Sequence, residues 1–270
     1  EALRDITENH RSVLDGITDF MDFASERSLA HRAFKELRIK LLADAKAYFL
    51  TKPAKPRATR PQLPGNVQEQ ALINHLFEQS DGIVWGETHS HQSSKKILID
   101  NMAEFARHDV KVLYMEHLQS DLHQSLLDDY FQSGKMPLRL NKYLEDQDFG
   151  HQINPSSRHT FSQLVREARR HGIRVIAVDC SASYYPKSTP SETPWLNRYE
   201  MFSYFASRTI RAHQAQNPGG KWIALTGNSH ANTFEGIPGL AELEGAISVR
   251  VSDSAPGTSR GLRQDIGEII

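Results

Sequence analysis

The sequence predicts an α/β protein, a mainly parallel sheet with helices on both faces, preceded by a small N-terminal helical module. Two observations carry this. Short, nearly continuous apolar runs (Gly82 to Trp85, Val110 to Met115, Ile173 to Val178, Trp222 to Thr226) alternate with longer amphipathic stretches, as in strands buried on both faces by crossover helices. Each run also stops at an acid, a histidine or both: Gly86-Glu87-Thr88-His89-Ser90-His91, Glu116-His117, Asp179, and Gly227-Asn228-Ser229-His230. Open parallel sheets bind ligands beyond the carboxyl ends of their strands. Glu87, His89, Glu116, Asp179 and His230 are therefore expected at one rim.

The elements follow in chain order. From Glu1, residues Leu3, Ile6, Val13, Leu14, Ile17, Phe20 and Met21 recur near helical spacing. Ser28 offers an N-cap for a second helix with Phe34, Leu37, Leu41, Ala45 and Tyr48 on one face. Residues 1–51 thus read as a helical module. Lys52 to Gly65 carries Pro53, Pro56, Pro61 and Pro64 among basic residues and reads as a linker. Residues 66–270 read as the α/β domain.

Within it, Val67 to Gln79 is helical and the first strand follows. A helix capped by Ser93 or Ser94 should run to about His108, burying Ile97, Leu98, Met102 and Phe105. After the second strand comes a helix from about Ser120 to Gln132. Gly134 to Asn154 is polar, aromatic and long for a connection, and is expected to be an irregular lid or insertion. Ser156 to His171 is helical, with Gly172 placed to end it. Beyond the third strand, Ser181 to Pro194 is a Ser/Tyr/Pro-rich binding loop, and Trp195 to about Gln216 a long helix. Ala246 to Val251 is the fifth strand.

Composition narrows the function. The 270 residues carry a net charge of −1, so no global field favours nucleic acid. The single cysteine, Cys180, excludes an internal disulfide or a multi-cysteine zinc site and reads as a small buried hydrophobe. No run of 18 apolar residues is present. The opening Glu1-Ala2-Leu3-Arg4, with neither Met nor an apolar core, suggests a piece of a longer protein.

Glu87 and His89, two apart, project to one side of an extended backbone. Clustered carboxylates and imidazoles support either of two mechanisms. A carboxylate-held histidine can take a proton from water, or Glu87, His89, Glu116 and His230 can hold a divalent metal that acidifies water. His91 and His117 adjoin stronger candidates and are expected to alternate away. Gly86 and Gly227 permit tight turns. Backbone N–H groups at Asn228-Ser229 can face an oxyanion. Arg198 is a candidate ligand for an anionic or carbonyl oxygen.

Gly86-Glu87-Thr88-His89, the strand-ending Glu116, and Gly227-Asn228-Ser229-His230 together resemble one superfamily. It groups erythromycin esterases, ChaN-type haem-binding lipoproteins, TraB/TIKI membrane proteases and the C2 domain of Pasteurella multocida toxin. Arg198-Tyr199-Glu200-Met201 is similar to an Arg-x-x-Met segment of its esterases. Ser93-Ser94-Lys95-Lys96, Tyr114-Met115-Glu116-His117 and Gly227 to Thr233 point to the toxin branch, over roughly Asn66 to Asp253. The resemblance implies a secreted bacterial toxin or effector domain acting in a host cell, in the cytoplasm or at a membrane. It also implies that residues 1–51 are a membrane-localisation module.

Members of the superfamily hydrolyse esters, cleave peptides or bind haem, so analogy of fold leaves the chemistry open. The expected function is hydrolase-like, using Glu87, His89, Glu116, His230, Asp179 and Arg198. The cofactor is unknown, a divalent metal being one possibility. The alternative is a non-catalytic haem- or metal-binding or membrane-docking module. Expected partners are a host-cell substrate and, through the N-terminal helices, a membrane surface.

Overall fold

The computed structural model describes residues 23–51, 69–184 and 194–253. Its strands are β1 (Gly82–Glu87), β2 (Val110–Gln119), β3 (Arg174–Asp179), β4 (Lys221–Gly227) and β5 (Ile247–Val251). They form one parallel sheet in the order β3-β2-β4-β1-β5. β4 therefore lies between β1 and β2. Its register sets Glu87 opposite Gly227 and Met115 opposite Leu225, which brings Glu87, Gly227 and Glu116 to nearly one level.

Alternation divides the strands' side chains between two cores. Ile83, Trp85, Leu113, Met115 and Leu225 face α2 (Glu69–Gln79), α3 (Ser93–Asp100), α4 (Met102–Arg107), α5 (Ser120–Ser133), α6 (Leu138–Gly150) and α7 (Phe161–Arg170). Val84, Val112, Tyr114 and Ala224 face the long α9 (Pro194–Gln216) and the short α10 (Asn228–Ala231) and α11 (Leu240–Glu244). The α/β expectation is met, with helices on both faces.

α1 (Phe23–Thr51) is one helix of 29 residues, and Ser28 falls inside it rather than at its start. Leu41 and Ala45 are buried against Cys180, Met201 and Tyr204, beside the short α8 (Ser181–Tyr184). The fully buried Arg38 donates from Nε to the Ala182 carbonyl at 2.7 Å. The first half of the N-terminal module and the proline-rich linker at 52–65 lie outside the described residues, as does most of the Ser/Tyr/Pro loop.

Three expectations within the domain are corrected. Gly134 to Asn154 is no irregular lid, because α6 fills most of it. Leu140, Leu144 and Asp148, four apart, turn inward and the many charges face water. β2 continues through Glu116 and His117 to Gln119. The single helix expected from Ser93 to His108 breaks at Asn101, whose side chain donates back to the Ile97 carbonyl.

Leu41→Ala should cost about 2–3 kcal/mol and move the whole urea transition. A transition of the α/β body unchanged from wild type would mean that α1 folds apart from it.

Candidate active site

Glu87 ends β1, and by alternation with Ile83 and Trp85 its side chain enters the face covered by α3 and α7. It is 1% exposed. Oε2 accepts from Ser94 Oγ at 2.7 Å and from Lys95 Nζ at 3.0 Å. Oε1 lies 2.9 Å from His117 Nε2 and 3.2 Å from His89 Nδ1. Burial alone would raise this carboxyl, but His117, His89 and Lys95 together hold it well below the usual range. Lys95 is itself fully buried, with Nζ 4.6 Å from the centre of the Phe161 ring.

His89 sits in the turn beyond β1, and its side chain is 45% exposed. Its ring stacks on His151, centres 4.8 Å apart. The hydrogen bond to Glu87 raises the His89 pKa against burial, and Glu116 adds to the rise. His151 goes the opposite way. Burial, then the neighbouring His117 and His89, push it down to about 3.

The second half of the site lies on the other face. Glu116, next to Tyr114 in the alternation of β2, accepts from the Gly227 backbone N–H at 2.7 Å on Oε2. Its Oε1 stands 3.2 Å from Arg198 Nη2 and 3.3 Å from His230 Nε2. Burial would raise Glu116, yet His230 and the permanent charge of Arg198 bring it down to about 2. The same Arg198 Nη2 reaches Asp179 Oδ2 at 2.6 Å. Asp179 also accepts from the Cys180 backbone and from the Ser183 hydroxyl. Burial lifts the Asp179 carboxyl to about 6, with Arg198 opposing. His230, packed against Tyr199 and Phe202, is driven down to about 3 by burial, with Glu116 opposing. It is neutral at physiological pH.

Gly227 joins the halves. A Cβ there would stand 3.0 Å from His89 Nε2 and 3.7 Å from Glu116 Oε2, so both groups look onto the space beside one bare backbone. Several buried polar atoms of the two halves have no partner among the described residues: His117 Nδ1, His151 Nδ1, His230 Nδ1 and Asn228 Oδ1. Orphans of this kind are uncommon in a folded interior, and several of them belong to this site.

Glu87, His89, Glu116, Asp179, Arg198 and His230 thus all reach the rim, in two groups on opposite faces. His117 does alternate away from Glu116, but toward Glu87. His91 stands outside, accepting from the Asp253 backbone N–H at 2.8 Å. Asn228 and Ser229 begin the single turn α10. Ser94 and Lys95, read in the sequence only as a helix cap and part of a family motif, and His151, not read at all, are the residues that the fold adds to the site.

A metal would find its donors grouped differently from the expected set. Among the described residues, Glu87, His89, His117 and His151 bring donor atoms within 4.8 Å of one another. Glu116 and His230 belong to the other half. The chemistry of this set does not fit a cation. Glu87 Oε1, His117 Nε2 and His89 Nδ1 stand 2.9, 3.2 and 3.4 Å from one another, close enough for bonds of about 2 Å, but the buried Lys95 already supplies Glu87 with a positive charge and repels a second one. Nor does the ring of ionised and imidazole groups offer the broad apolar faces that a haem macrocycle requires.

Residues 74–191 match the family described as haem-binding uptake, Tiki superfamily, ChaN. Over 195 residues the chain is 29% identical to the multifunctional-autoprocessing repeats-in-toxin protein of Vibrio vulnificus, covering 70% of this chain and 3% of that one. Among solved structures it is similar to RRSP, a MARTX toxin effector domain from Vibrio vulnificus. That match has a TM-score of 0.58 and 25% identity, over 70% of this chain and 36% of that one. The C-terminal region of Pasteurella multocida toxin, described as having a thiol-protease-like catalytic triad, shares the fold. There the TM-score is 0.58 at 15% identity, over 91% of this chain and 33% of that one. The resemblance to the ChaN/Tiki superfamily and to bacterial toxin effector domains therefore holds, and the chain spans a small part of the relatives that it matches.

Gly227→Ala tests how tightly the halves meet. Gly227 has φ −61, so alanine meets no backbone strain, and its methyl group presses on the His89 ring. The His89 imidazole NMR signals should move, with the melting temperature lowered by only about 2–4 °C. Unmoved signals would show that His89 is not held against Gly227.

Proposed function

We propose that this chain is a bacterial toxin effector domain, delivered into a host cell, that hydrolyses an ester or amide with His89 as general base. The observation that carries this is an exposed imidazole hydrogen-bonded through Nδ1 to a fully buried, ionised carboxylate, with Nε2 facing the side-chain-free backbone of Gly227. Such a pairing orients a base and stabilises its protonated form. The water oxygen bonds to the carbonyl carbon as one water proton passes to His89 Nε2. Glu87 balances the imidazolium through Nδ1–H. As the tetrahedral species collapses, the imidazolium returns that proton to the departing oxygen or nitrogen.

Glu116, Arg198, Asp179 and His230 build the opposite wall. Arg198 compensates two carboxylates at once, which fixes Glu116 against the Gly227 N–H and keeps the end of β4 rigid beside the base. A nucleophilic thiol is a poor alternative. Cys180 is 1% exposed, and burial followed by the charge of Asp179 pushes its pKa far up, the reverse of what an attacking thiolate needs. A membrane surface is a further proposed partner. The Leu41 face of α1 is occupied by the protein, so contact would fall to the exposed Ile39 and Leu50 and to residues outside the described structure.

His89→Ala and Glu87→Gln should reduce toxicity in host cells by roughly 10²–10⁴-fold while both variants keep the wild-type circular dichroism spectrum. Full toxicity in both would end the hydrolase reading. Activity should also rise with pH as His89 loses its proton, with a midpoint above the ordinary histidine value, because Glu87 stabilises the charged ring. Removing the Glu87 charge takes that stabilisation away, so the residual activity of Glu87→Gln should have its midpoint at lower pH. A midpoint that stays in place would show that another group titrates.

A further inference from the structure

We infer that Lys95 is a positioning residue that sets which nitrogen of His89 carries the hydrogen, and that it supplies from within the protein the positive charge a metal ion would otherwise bring. This deepens the proposed function, since it concerns the base assigned there.

Two lysines in succession meet opposite fates. Lys96 is exposed and pairs with Asp100 one turn on, as an ordinary solvated helix charge does. Lys95 has no exposed surface and lies between the Phe161 ring and Glu87. Burying an ammonium is expensive unless it is paired and hydrogen-bonded, so the place of Lys95 is fixed by Glu87 and the aromatic face together.

Consider what Lys95 leaves available. With Ser94 it fills Oε2 of Glu87. Only Oε1 remains, and two imidazole nitrogens approach it, His117 Nε2 at 2.9 Å and His89 Nδ1 at 3.2 Å. An ionised carboxylate oxygen accepts only, so each nitrogen must bear a hydrogen. The two nitrogens stand 3.4 Å apart, both aimed at Oε1, and neither is left to accept from the other. Neutral His89 is thereby held as the Nδ1–H tautomer, with its lone pair on Nε2, the atom facing Gly227. His117 follows the same logic, because its buried Nδ1 meets no donor among the described residues, as a bare lone pair would.

The charge arithmetic gives the second consequence. Glu87 and Lys95 sum to zero inside the protein. A divalent cation joining Glu87, His89, His117 and His151 would be driven against a fixed ammonium a few ångströms away. Lys95 therefore occupies, electrically, the position of a metal.

Lys95→Met tests both consequences, because methionine keeps an unbranched stem against Phe161 and removes the charge. In wild type, ¹⁵N-histidine NMR should show His89 as the Nδ1–H tautomer, and Co²⁺ added alone should produce no visible absorption from histidine coordination. In Lys95→Met, Oε2 loses one of its two donors and keeps only Ser94, so His89 should become a mixture of tautomers, and affinity for Co²⁺ should rise at least roughly tenfold. Lys95→Gln is the substitute should the methionine variant fail to fold. Wild type alone can overturn the inference, either by an Nε2–H tautomer at His89 or by Co²⁺ binding as tight as the variant's. Full toxicity of His89→Ala would instead defeat the hydrolase reading and leave the tautomer result standing.

Discussion

Two buried carboxylates on β1 and β2, the strands that flank β4, are the constraint on which the site depends. Glu87 and Glu116 are both removed from water, and each would take up a proton there if left alone. Each is instead met by one cation from a helix: the buried Lys95 of α3 on one face, the part-buried Arg198 of α9 on the other. With the charges balanced, both carboxylates stay ionised and each has one oxygen turned toward an imidazole. Because β4 runs between them and ends in a residue without a side chain, two half-sites on opposite faces open onto one space.

This arrangement explains why two histidines in similar sequence settings behave differently. His89 and His230 each follow a strand by a few residues, and each lies beside a glutamate. His89 is part-exposed and its pKa is raised by the Glu87 hydrogen bond. His230 is enclosed by Tyr199 and Phe202, and burial drives it down to about 3. Environments that push two like groups apart are a usual sign of divided labour in a site. Here they support the proposed division, proton transfer at His89 and a fixed, neutral hydrogen-bonding role at His230.

The strand ends were legible in the sequence because an apolar run that stops at Glu, Asp or His has little structural reason to do so. Glu87, His89, Glu116, Asp179 and His230 came from that signal alone. Arg198 was legible only as the start of a helix beside a loop, and its bridging of Glu116 and Asp179 required the fold. Lys95 was hidden because a Lys-Lys pair on a helix normally faces water. His151 was hidden because α6 carries so many charges that its inward Leu140 and Leu144 made no obvious stripe. His117 was expected to alternate away from Glu116 and did. The sheet order, which the sequence does not reveal, is what turns that direction into a contact with Glu87. The N-terminal module showed its helical period, but its docking through Arg38 and Leu41 onto α8 and α9 is a tertiary fact with no local signature.

The central claim is that water, activated by His89 on Glu87, is added across a bond of a host molecule. Incubating host-cell lysate with the protein in H₂¹⁸O and following the acids or new chain termini by mass spectrometry tests it directly. The account predicts products carrying one ¹⁸O with the wild-type chain and none above background with Glu87→Gln. Products formed without ¹⁸O, or labelled equally by both proteins, would contradict it.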